Sequence, residues 1–176
     1  MGLVAVTPRA AVVAAGVESG LAPGAPTVSI PVVDVTGPYQ GQRICYVCEF
    51  QDAPNVLAFF RDTGPETAEL IARLNELYVR HRDRGFKAVA MIVAGEDAKP
   101  WLEELNARTD LEIPLTVFRR GPRDVAARLY ELNPEAANTF LVTVNRFVVA
   151  NVADITPGGF DAVVEGTTRM LAGLDE

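Results

Sequence analysis

The chain has 176 residues, 49% of them hydrophobic, enough for one compact domain with a sizeable core. Its 23 acidic and 16 basic residues leave a formal charge of -7, which argues against nucleic acid or an anionic membrane surface as the main partner. No apolar run approaches the roughly 20 residues a membrane-spanning helix needs, so the sequence reads as soluble.

Residues 1–25 alternate small apolar residues with Gly and Pro and read as a loosely held arm, with 26–176 as the folded domain. Met1 to Gly20 carries only Arg9 as a positive charge and a short apolar core at Ala10 to Ala15, a poor match to a secretory leader. A cytoplasmic location is favoured, with export left open if a leader has been removed. Val28 to Val35 is β-branched, and Pro31 marks it as an edge or interrupted strand. Gly37-Pro38 and Gly41 supply a turn before Arg43-Ile44-Cys45-Tyr46-Val47-Cys48-Glu49-Phe50, which holds the only two cysteines.

After a turn at Asp52 to Asn55, Val56 to Phe60 is a continuous apolar run, as expected of a strand covered on both faces. Thr63-Gly64-Pro65-Glu66 starts a helix, with Asp62, Thr63 and Glu66 read as capping residues. Its stripe is Leu70, Ile71, Leu74, Leu77 and Tyr78, and Gly85 ends it. His81, beside Arg80 and Arg82, reads as part of a solvated helix terminus. Phe86 to Val93 is a second strand, Pro100 opens a helix with Trp101, Leu102 and Leu105 facing the core, and Pro114 to Phe118 is a third strand. Pro114 is expected to be trans. Pro122 to Leu132 supplies another helix. Thr139 to Val142 and Phe147 to Val152 flank a turn at Thr143 to Arg146 built around Asn145. Thr156-Pro157 caps a last helix with Phe160, Val163, Val164, Thr167, Met170 and Leu171 inward. Strands alternating with helices, then a hairpin, predict an α/β fold with a central mixed sheet flanked by helices.

Three pieces of this order resemble the redoxin branch of the thioredoxin-like fold, the branch that includes peroxiredoxins. They are Pro23-Gly24-Ala25-Pro26 leading to Val32-Val33-Asp34-Val35-Thr36-Gly37, then Val56 to Phe60 running into Pro65, and Asn138 to Val142 with Phe147 to Ala150. The resemblance covers about residues 20–173 and implies a three-layer thioredoxin-like domain. In such proteins the reactive cysteine follows the central strand at a helix N-terminus. Here Gly64-Pro65-Glu66-Thr67 stands there, and Ala136-Ala137-Asn138 stands where a cis-proline precedes the hairpin. A threonine there has no neighbouring base to activate it.

The remaining thiols, Cys45 and Cys48, form a C-x-x-C upstream of the central strand. They are expected near its opposite end, about 17 Å or more from the vacant position unless a loop folds back, and lacking that helix N-terminus, with Tyr46 and Val47 forming the turn between them. Glu49 and Asp52 oppose thiolate formation there and Arg43 favours it. The leading reading is thiol-disulfide exchange or thiol sensing at Cys45 and Cys48, with a protein thiol or disulfide as partner. Peroxide reduction fits less well, because it calls for a lone activated thiolate. The alternative is a non-catalytic protein-binding module with structural cysteines, which exposed apolar surface near Gly64 to Thr67 would favour. Zinc lacks two further soft ligands, His81 being the one histidine, so neither metal nor cofactor is expected. Dimerisation through a sheet edge or helix face stays open.

Overall fold

Val56-Leu57-Ala58-Phe59-Phe60 offers no polar side chain to water, and the computed structural model, which describes residues 16–175, makes it the body of an inner strand, β3 (Asn55–Phe60), buried at every position. The other strands are β1 (Val32–Asp34), β2 (Arg43–Ile44), β4 (Lys87–Ile92), β5 (Leu115–Val117), β6 (Asn138–Val144) and β7 (Phe147–Ala153). They form one mixed sheet in the order β2-β1-β5-β4-β3-β6-β7. β3, β4 and β5 run parallel, and β1, β2, β6 and β7 add antiparallel pairs.

Alternation along the strands sorts the core into two layers. Val56, Ala58, Phe60, Ala90, Ile92, Phe140 and Val142 face helices α2 (Pro65–His81), α3 (Lys99–Thr109) and α5 (Asp161–Ala172). Leu57, Phe59, Val89, Met91 and Leu141 face the shorter α1 (Tyr46–Phe50) and α4 (Val125–Leu129), together with Leu21 and Ile30. This is the α/β arrangement predicted. α2 and α5 bury the expected stripes, except that Tyr78 and Val164 are half-buried. No peptide bond among the described residues is cis, so Pro114 is trans as expected.

Several local expectations are corrected. β1 is not an edge: it pairs β2 on one side and β5 on the other, and the two-residue β2 takes the edge. Pro31 falls just before β1, so the missing N–H costs no ladder bond. The helix expected from Pro122 is broken, because Asp124 is extended and caps α4 by accepting from the Ala126 N–H at 3.1 Å. Thr156 makes no side-chain cap; a 3-10 turn at Pro157–Gly159 leads into α5 instead. Residues 1–15 of the expected arm lie outside the described residues. Its last part is held: Ser19 Oγ bonds Thr139 Oγ1 at 2.7 Å, the Gly20 N–H donates to the Glu131 carbonyl, and Leu21 is buried.

The β6–β7 turn is tighter than expected. Val144 pairs with Phe147, leaving Asn145 and Arg146 as a two-residue connection at φ 51° and 65°. Asparagine tolerates that region and arginine does not, so Arg146→Gly is expected to stabilise the fold by about 0.5–1 kcal/mol. The ion pair lost with it, Arg146 to Asp52 at 3.8 Å, is exposed and adds little. A higher urea midpoint for Arg146→Gly checks this; an unchanged or lower one overturns it.

Candidate functional site

Ile44-Cys45-Tyr46-Val47 is strand-like in composition, yet the chain turns into helix at Tyr46. The turn is held from outside. Buried Asp34 accepts from the Gly37 N–H at 2.7 Å, the Tyr39 N–H at 2.8 Å and the Tyr46 hydroxyl at 2.7 Å. Tyr46 is thereby pinned under the sheet, and burial, then its bond to Asp34, pushes its phenol well above the usual tyrosine value. Gly37 sits so close that a Cβ there would stand 2.5 Å from the Tyr46 hydroxyl oxygen and 2.6 Å from Asp34 Oδ2.

Cys45 is the N-cap of α1, and its Sγ accepts from the Cys48 N–H at 3.2 Å. The expectation of a plain turn through Tyr46 and Val47 is therefore corrected: both are the first residues of a short helix, and both are buried. Cys45 and Cys48 are joined as a disulfide with Cα atoms 5.2 Å apart, and both are half-buried. Cys45 packs against the inner layer of Tyr46, Val47 and Ile30. Cys48 faces outward to the exposed Ser29, whose Oγ is 3.3 Å from Cys48 Sγ; a disulfide sulfur has no proton, so the hydroxyl is the donor. Ser29 is placed by Tyr130, whose hydroxyl donates to the Val28 carbonyl at 2.6 Å and accepts from the Val28 N–H at 3.2 Å. Burial raises the Tyr130 phenol too, against the opposing effect of its Val28 bond. Glu49, exposed, accepts from the Tyr39 hydroxyl at 2.7 Å, which occupies one of the acids expected to oppose a thiolate.

The register also corrects where the pair lies. Phe60 aligns with Ile92, Ile92 with Val117, Val117 with Val33 and Val33 with Arg43. Ile44 thus lies at the same end of the sheet as the C-terminus of β3, not the opposite one. The separation is lateral, four strand spacings or about 19 Å.

At that C-terminus the vacant position is polar. Gly64, at φ 146°, is the N-cap of α2 with no side-chain cap. Asp62 and Thr63 therefore do not cap the helix as expected: the Asp62 carboxylate takes Arg61, and the Thr67 hydroxyl donates to the Asp62 carbonyl. The surface there is Arg61, Asp62, Thr63 and Glu66, not the apolar patch that the binding-module alternative calls for. A cavity of about 690 Å³ opens beside it, with Phe59, Val93, Leu132 and Ala136 apolar and Arg61, Asp62, Arg128 and Glu131 charged. Among the described residues no three or more His, Cys, Asp or Glu side chains converge as a metal site. His81 lies edge-on to Phe86 at the end of α2, and partial burial with Arg80 and Arg84 lowers its pKa. No helix among the described residues is long and apolar enough to cross a membrane.

No family model matches the chain, and no curated protein matches its sequence. Solved structures match its fold. The thioredoxin domain of a thiol-disulfide oxidoreductase from Bacteroides vulgatus superposes with a TM-score of 0.67 at 10% identity, over 86% of this chain and 99% of that one. Peroxidoxin BcpB from Mycobacterium tuberculosis gives 0.65 at 14% identity, over 88% and 98%. Peroxiredoxin Q from Xanthomonas campestris gives 0.63 at 14% identity, over 81% and 91%. The fold is thioredoxin-like, and Gly64 to Thr67, with no cysteine among them, follow β3 at the start of α2.

Proposed function

We propose that the chain performs thiol-disulfide exchange with protein partners through Cys45 and Cys48. The observation that supports this is a half-exposed disulfide with a hydrogen-bond donor on each sulfur, the Cys48 N–H on Cys45 and the Ser29 hydroxyl on Cys48. Such donors favour the charged form of a thiol, countering the nearby acids. A partner thiolate attacks the outward Cys48 Sγ, the Cys45–Cys48 bond breaks, and Cys45 leaves as a thiolate held by the Cys48 N–H. A second partner thiolate then attacks the partner sulfur of the mixed disulfide and expels the Cys48 thiolate. The partner dithiol ends as a disulfide and this chain as a dithiol, each thiolate taking or giving its proton to water. Neighbours named as a thiol-disulfide oxidoreductase and peroxiredoxins are consistent with this chemistry.

Equilibration in defined thiol buffers tests it. The expected result is a reversible couple between about -120 and -270 mV, the range of exchange catalysts, with Cys45→Ser trapping a mixed disulfide on Cys48. A disulfide locked below about -300 mV, or one that never re-forms, overturns the proposal. The second reading, a binding module with structural cysteines, draws on the apolar part of the neighbouring cavity, Phe59, Val93, Leu132 and Ala136, and not on the polar surface at Gly64 to Thr67. Under that reading the serine variants retain partner binding.

A further inference from the structure

On a chain of net charge -7, one small pocket is basic, and it adjoins the disulfide. It holds about 140 Å³ and is lined by Ser29, Arg43, Arg119, Arg120, Asp124 and Leu129, among others. Ser29 is the residue whose hydroxyl touches Cys48 Sγ. The three arginines reach the pocket from two places in the chain. Arg43 lies on β2, directly before Ile44 and Cys45, and Arg119 and Arg120 follow β5. All three are exposed, and none forms an ion pair among the described residues, whereas eight other basic side chains do. One acid also lines the pocket, Asp124, held at its wall by the backbone N–H groups of Arg120 at 3.2 Å and Ala126 at 3.1 Å, so three cationic side chains face one anionic one. Val125 and Leu129, 53% and 44% exposed, add an apolar rim.

We infer that this pocket takes a carboxylate side chain flanking the reacting cysteine of a partner protein, so that the exchange site selects acidic thiol segments. The inference rests on the exchange reading of Cys45 and Cys48. The volume suits one acidic side chain beside an apolar neighbour, and unpaired guanidinium groups are suited to gripping a carboxylate. The overall negative charge repels acidic segments elsewhere on the surface, so the pocket provides discrimination as well as attraction.

The test uses the full-length oxidised chain and two dithiol peptides of equal length, one with Asp and Glu around its cysteines and one with Gln. The expected result is reduction of the disulfide about 10-fold faster by the acidic peptide, an advantage that shrinks in about 1 M salt, where screening falls to about 3 Å. Combined Arg43→Gln, Arg119→Gln and Arg120→Gln removes the advantage, read as the ratio of acidic-peptide to Gln-peptide rates in the same variant, so that any change in the rate with the neutral reagent dithiothreitol cancels. Equal rates for the two peptides, or an advantage that survives in the triple variant, overturn the inference. Serine analogues of both peptides separate this from failure of the exchange reading. If dithiothreitol and both peptides leave the disulfide intact, the exchange reading fails; tighter binding of the acidic serine analogue, lost in the triple variant, still supports the pocket, and equal binding rejects it.

Discussion

Asp34→Ala is expected to lower the unfolding free energy by about 4.5 kcal/mol, because one buried carboxylate holds three donors and each bond to a charged group contributes about 1.5 kcal/mol at the low end of its range. The Gly37 and Tyr39 N–H groups and the Tyr46 hydroxyl lose their acceptor together. Tyr46, 4% exposed, is then left with an unpaired polar atom in the core. Tyr46→Phe, which removes one of the three bonds and leaves Asp34 its two backbone donors, costs about 1–2 kcal/mol. Gly37→Ala reaches the same network by crowding, since its Cβ would displace the Tyr46 hydroxyl, Asp34 Oδ2 or Pro114 Cβ at 2.7 Å. Urea unfolding of the three variants checks the order. A loss under about 1 kcal/mol for Asp34→Ala would mean that the network does not hold the fold. The functional consequence follows from geometry: Tyr46 is the first residue of α1, so freeing it loosens the Cys45 cap and the spacing of the disulfide.

How legible each part was depends on whether its cause is local. β3 could be read because a run of five apolar residues has no face for water, and α2 because Pro65 and the Leu70 to Leu77 stripe act within a few turns. The α5 stripe was legible for the same reason. α1 was not. Cys45 to Phe50 has strand composition, and what bends it into helix is a carboxylate twelve residues upstream, together with aromatic packing of Tyr46 on Phe50 and Tyr39. The direction of the chain into α1 was equally hidden, since β2 is only two residues long and its register appears only against β1. The two cysteines could be found from sequence, but not their same-end placement with the vacant position. Nor could the basic pocket be seen, because Arg43 meets Arg119 and Arg120 only after β1 is inserted between β2 and β5. Arginines this far apart in sequence give no local signal. The Tyr130 anchor of Ser29 was missed likewise, its partner lying across the chain at Val28.

Above pH 10 the oxidised protein is expected to lose stability steeply. Tyr46 and Tyr130 have folded-state pKa values raised above the usual 10, chiefly by burial. The unfolded chain therefore releases both phenolic protons near pH 10, while the folded chain retains them. The folded state then binds more protons, so unfolding free energy falls as pH rises, by up to about 1.4 kcal/mol per pH unit for each phenol. Two phenols together give about 5 kcal/mol across roughly two units from pH 10, and the stabilisation is fully present below that window. Tyr46→Phe should about halve the slope, and Tyr46→Phe with Tyr130→Phe should leave only the weak dependence of Tyr39, whose bond to Glu49 raises its phenol. A wild-type slope no steeper than that of the double variant would overturn the assignment. The disulfide removes Cys45 and Cys48 from the titration, so the loss reads the tyrosines. These two phenols pin opposite sides of the candidate site, Tyr46 beneath α1 and Tyr130 beneath the segment carrying Ser29. Alkaline loosening should therefore reach the Cys45–Cys48 pair before the sheet unfolds, seen as a rise with pH in the rate of reduction by dithiothreitol that is steeper in wild type than in the double phenylalanine variant, once corrected for thiolate fraction.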